Sequence, residues 1–120
     1  GGIGDAGAPR YAVVAGQVND TGGQPILGAL VGVRLPANRT PAGYVAPTAN
    51  TTDQGSFQVG VYRVDSTVTI ATPDTMTVWV IATLPGLPAQ GHTDSVQTLL
   101  QFVPVAESAQ PSNVTLTLSF

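Results

Sequence analysis

The chain has 120 residues, with four arginines, no lysine, seven acidic residues, no cysteine and a formal net charge of −3. That length is one domain's worth, enough to bury a core unaided. Arg10, Arg34, Arg39 and Arg63 are scattered along it, which excludes both a nucleic-acid footprint and a basic membrane patch. No cysteine means no disulfide framework, thiol nucleophile or thiolate-held metal. No apolar run is long enough to span a bilayer.

Only 9% of residues are charged, against about 25% in ordinary soluble domains. Thr and Ser supply the polar surface instead, a balance that suits half-buried strands better than helices. The lack of lysine beside abundant Ala, Gly, Pro and Arg fits the codon bias of a GC-rich genome and gives a bacterial source as the expectation.

The opening Gly1-Gly2-Ile3-Gly4-Asp5-Ala6-Gly7-Ala8-Pro9 reads as a flexible tether over 1–10. Such a tether can follow the lipid-anchored cysteine of a bacterial lipoprotein, or be a plain linker. A single domain is expected over 11–120. Its first strand spans 11–18 and ends in the turn Asn19-Asp20-Thr21-Gly22-Gly23. A second spans 28–35, with Ala29, Val31, Val33 and Leu35 in phase. The Pro-rich stretch 36–50 reads as a loop with a short edge strand near Tyr44. Residues 51–53 and 56–62 form a hairpin around Asp53-Gln54-Gly55, with Phe57, Val59 and Val61 on one face. Strands at 67–72 and 76–84 flank a Pro73-Asp74 turn. A loop over 85–95, a strand over 97–103 and a loop over 104–112 follow. The last segment alternates most strictly, Val114, Leu116, Leu118 and Phe120 against Thr115, Thr117 and Ser119.

Period-two alternation broken by turn clusters, with no helical recurrence and no repeat, predicts an all-β fold. The expected architecture is a seven- to eight-stranded antiparallel Greek-key sandwich.

Two motifs in order resemble the carboxypeptidase regulatory-like family, a prealbumin-like or transthyretin-like sandwich allied to the Ig-like architecture. The first is Gly16-Gln17-Val18-Asn19-Asp20 with Gly23-Gln24-Pro25-Ile26 and Gly28-Ala29. The second is Thr52-Asp53-Gln54-Gly55-Ser56-Phe57. A weaker match is Val78-Trp79-Val80-Ile81-Ala82 running into Leu84-Pro85-Gly86-Leu87. Each has a local reason: Gly22-Gly23 and Gly55 supply positive φ, and the Asp20 and Asp53 carboxylates suit turn amides. Asp20, Gly23, Asp53 and Gly55 are therefore structural turn residues. The resemblance implies a non-enzymatic domain appended to peptidases, receptors or surface proteins, with no cofactor. The 36–50 loop and the 88–112 segment depart from the pattern and are where individual function would sit.

Catalytic readings find little support. His92, Asp94 and Ser95 supply the residue types of a triad, but near-adjacent residues rarely converge with an oxyanion hole, so a solvated turn is expected. The transthyretin-related ureide hydrolases use several histidines, and this chain has one. Asp20, Asp53, Asp65, Asp74 and Asp94 fall mainly in expected turns, and Glu107 is isolated. They form neither a paired-acid site nor a calcium loop. All four asparagines, Asn19, Asn38, Asn50 and Asn113, begin Asn-x-Thr. With Thr common and the source read as bacterial, these are expected to reflect coincidence and turn preference.

The aromatic residues carry the functional expectation. If Val78, Val80 and Ala82 face inward, Trp79 and Ile81 face outward, as do Tyr11 and Tyr62 by the same alternation. Exposed rings on a sheet suit protein contact or glycan stacking, unless a loop folds over them. The expectation is an accessory, interaction or structural domain, extracytoplasmic (periplasmic or cell-surface). The alternative is a carbohydrate-binding module. A protein partner, an attached domain or a glycan is expected to bind it, and an exposed edge strand would allow a homodimer.

Overall fold

The computed structural model describes residues 9–37, 40, 43–64, 74–85 and 92–119. The described residues are all-β, without an α-helix. Seven strands run β1 (Pro9–Asp20), β2 (Leu30–Arg34), β3 (Thr48–Asn50), β4 (Ser56–Val64), β5 (Asp74–Thr83), β6 (Thr93–Pro104) and β7 (Ser112–Leu118). They form one sheet in the order β3-β2-β5-β6-β1-β4, with β7 also paired to β1. The sheet curls until it nearly closes into a barrel.

β1 is the hub. It pairs antiparallel with β4 along its length, from Pro9↔Val64 to Gln17↔Ser56. On its other edge it meets β6 at Arg10↔Pro104 and Tyr11↔Val103. The same edge then takes β7 in parallel, from Val14↔Ser112 to Asp20↔Leu118. Between β6 and β7 the seam is closed by side chains: the Thr117 amide donates to Asp94 Oδ2 at 2.9 Å, and Ser112 Oγ to the Leu99 carbonyl at 2.8 Å.

The core follows the alternation. Val14, Val18, Val31, Val33, Val61, Val78, Val80, Leu100, Phe102, Leu116 and Leu118 are all essentially inaccessible. Gly16 sits among them because β7 passes too close for a side chain: a Cβ there would lie 1.9 Å from the Val114 carbonyl oxygen.

Several boundaries differ from expectation. β1 begins at Pro9, within the stretch read as a tether, and Arg10 is buried, donating to the Phe102 carbonyl at 3.4 Å among its contacts. Pairing to both β4 and β6 holds this segment in the sheet. The edge strand of the 36–50 stretch is Thr48–Asn50 rather than near Tyr44. Tyr44 instead packs against the core and donates to the Val33 carbonyl at 3.2 Å. Residues 51–53 are not a strand: Thr51 is buried, accepting from the Ala29 amide at 2.9 Å and donating to the Ile26 carbonyl at 2.6 Å. β6 starts at Thr93, inside the expected 85–95 loop, because it pairs with β5 as far as Thr83↔Thr93. The strand expected at 67–72, Pro73 and the N-terminal residues 1–8 lie outside the described residues.

Candidate functional site

β2 and β5 lie side by side with Arg34↔Trp79, Gly32↔Ile81 and Leu30↔Thr83 in register. Val31, Val33, Val78, Val80 and Ala82 point inward and are buried, so their alternates form the outer face. Trp79 and Ile81 are half-buried there. The face is not a flat solvated sheet. Gly32 leaves a depression of about 320 Å³ rimmed by Leu30, Ala46, Thr48, Ile81 and Thr83, with Arg34 at one end. Among the described residues its only charged lining residue is Arg34, which is exposed and has no ion pair with any of them. A second hollow of about 640 Å³ shares Arg34 and is lined besides by Leu35, Pro36, Ala37, Thr40 and Trp79.

The other aromatic pair lies elsewhere, on the outer face of β1 and β4. Tyr11 and Tyr62 are register partners, stacked with ring centroids 5.6 Å apart and planes 16° from parallel. Tyr11 is anchored: its hydroxyl donates to the Glu107 carbonyl and accepts from the Ala109 amide. Tyr62 is 63% exposed. The four expected surface residues thus divide into two patches on different parts of the sheet.

No family model, curated protein or solved structure matches this chain. The site is therefore read from its own geometry.

The turn residues behave unevenly. Asp20 Oδ1 accepts from the Gly22 and Gln24 amides, each at 2.9 Å, and Gly23 takes φ 83°. Gly55 takes φ 74°, as the second turn requires, and its carbonyl accepts from the Val18 amide at 2.8 Å. The expected role of Asp53 falls to its neighbour: Thr52 Oγ1 accepts from the Gln54 and Ser56 amides at 3.3 and 3.2 Å. Asp53 is exposed. A threonine before an Asx-like turn can close it with its own hydroxyl.

Of His92, Asp94 and Ser95, the last two are held apart. Asp94 and Ser95 are consecutive in β6 and so point to opposite faces. Asp94 is already committed to the Thr117 amide. Among the described residues no three His, Cys, Asp or Glu side chains group as metal ligands.

The residues that sequence reasoning missed are Arg34, Leu30 and Gly32. The signal was present: with Ala29, Val31, Val33 and Leu35 inward, positions 30, 32 and 34 must face out.

Proposed function

We propose that this chain is a non-catalytic interaction domain of a secreted or surface-anchored protein, binding a protein partner or attached domain through the outer face of β2 and β5. The observation that carries this reading is the apolar depression over Gly32 between Leu30 and Ile81. Water gains little from such a surface, and a partner's aliphatic side chain would bury it at about 25 cal/mol per Å². Arg34, the one charge on the rim among the described residues, favours a partner that sets a carboxylate beside that side chain, and the Trp79 ring beside it suits an interface centre. The ordered turn motifs resembling carboxypeptidase regulatory-like domains support the same role. They also favour reading the curled sheet as a two-layer, Greek-key, prealbumin-like fold. The test is binding of the natural partner by Ile81→Lys and Arg34→Glu variants: a loss of tenfold or more supports the reading, and unchanged affinity for both sinks it.

A second reading rests on Tyr62. Its ring is held by a neighbour that is itself pinned, so one flat aromatic face is presented to solvent without much ordering cost, as sugar stacking requires. Calorimetric titration with a glycan panel tests it; heat lost in Tyr62→Ala supports it, and no heat with any glycan removes it.

A further inference from the structure

All four asparagines in the chain stand two residues before a threonine, with Asp, Arg, Thr and Val between. Abundance of threonine does not account for this. Ser and Thr fill 21 of the 120 positions, so four matches from four asparagines arise by chance about once in a thousand such chains. None of the intervening residues is proline, the one residue that blocks the acceptor motif.

The fold supplies the second observation. Asn50 and Asn113 are both exposed, on β3 and at the start of β7. Asn113 shares the outer side of β7 with exposed Thr115 and Thr117, while Leu116 and Leu118 fill the core. Asn50 lies on a strand paired on one side only among the described residues. Bare strand edges invite pairing with other chains, and proteins commonly guard them with lysine or other charges. This chain has no lysine, few charges of any kind and a positive mean hydropathy of +0.21. A bulky hydrophilic group at Asn50 would do what those charges do elsewhere.

We propose that Asn50 and Asn113 are N-glycosylation sites, an inference that rests on the extracytoplasmic reading above. It requires a host with an asparagine-directed oligosaccharyl transferase, and replaces the expectation of coincidence drawn from a bacterial source. In the transfer, Asn Nδ2 forms a bond to the anomeric carbon of a sugar carried on a polyprenyl diphosphate. The bond from that carbon to the diphosphate oxygen breaks, the polyprenyl diphosphate leaves, and the amide gives up one proton. The hydroxyls of Thr52 and Thr115 are the motif's partners to the two acceptors. The Asn50 glycan projects beside Leu30, its register partner, about 13 Å along β2 from Arg34. It therefore stands at the Leu30 end of the depression and limits docking there, leaving the Arg34–Trp79 end open.

The test is peptide mass spectrometry of the natural protein, recovered separately from the cell interior and from the surface or medium. Cleavage after the four arginines places Asn19, Asn38, Asn50 and Asn113 in four different peptides, so each site is read alone. Glycan mass on the peptide 40–63 and on the one that begins at Val64 and carries Asn113, removed by an amidase that leaves Asp, is the expected result. Its loss from one peptide at a time in Asn50→Gln and Asn113→Gln assigns the sites. Bare peptides from protein found outside the cell overturn the glycosylation and leave the secretion reading standing. Recovery from the interior alone overturns both.

Discussion

Gly16→Ala tests how β7 is held. The added methyl would stand 1.9 Å from the Val114 carbonyl oxygen and 2.9 Å from its carbon, where ordinary contact begins at 3.4 Å. Both obstacles are backbone, so no rotamer change relieves them, and β7 must retreat by about 1.5 Å. A ladder bond near 2.9 Å stretched that far is no longer a hydrogen bond. Two such bonds at about 1 kcal/mol each, with looser packing of Leu116 and Leu118, put the cost at about 3–4 kcal/mol. That is a large part of the 5–15 kcal/mol typical of a domain. The assay is urea unfolding followed by Trp79 fluorescence. Gly60→Ala is the control, because the nearest atoms to its methyl are those of the Tyr62 ring, at 3.2 Å and beyond, a side-chain contact that a few tenths of an ångström relieves without moving backbone. If the two variants unfold within about 0.5 kcal/mol of each other, β7 is not packed on β1 as described.

Thr51→Val should cost about 2–3 kcal/mol in the same assay, since it strips the Ala29 amide and Ile26 carbonyl of a buried partner; a cost below about 0.5 kcal/mol would contradict the burial. Tyr11→Phe should cost about 1 kcal/mol, by freeing the segment around Glu107 and Ala109. Proteolysis within 105–111 should quicken, and an unchanged cleavage rate would remove Tyr11 as its anchor. Burial raises the Tyr44 phenol above its ordinary 10.0. The folded state therefore keeps a proton that the unfolded chain has lost, and stability should fall as pH rises past about 10. Tyr44→Phe should lessen that fall, and an identical profile in the variant would refute the assignment.

How much of this was legible in the sequence depends on the length scale of the cause. Strand faces follow from period two, so Val78, Val80 and Ala82 inward and Trp79 and Ile81 outward could be read before any coordinates. The Asp20 and Gly55 turns were equally legible, because their chemistry is local. The hidden features depend on distant partners. β1 reaches back to Pro9 because β4 and β6 pair with it there, and β6 begins at Thr93 because Thr83 lies opposite. The parallel β1–β7 pairing has no sequence signature, although an inward-phase glycine at 16 is its local trace. At the site, the outward phase of Arg34 could be inferred. Its place beside Trp79, and the depression beyond it over Gly32, needed the β2–β5 register.

The central claim, that the outer face of β2 and β5 docks a protein, is tested most directly by placing a photo-crosslinking amino acid at position 81 of the full natural protein in its native setting. A matched probe at Gln58, exposed on β4, serves as the reference. The account predicts one discrete adduct from position 81, weakened by Arg34→Glu and absent from position 58. Equal labelling from both positions, or none from position 81, would contradict it.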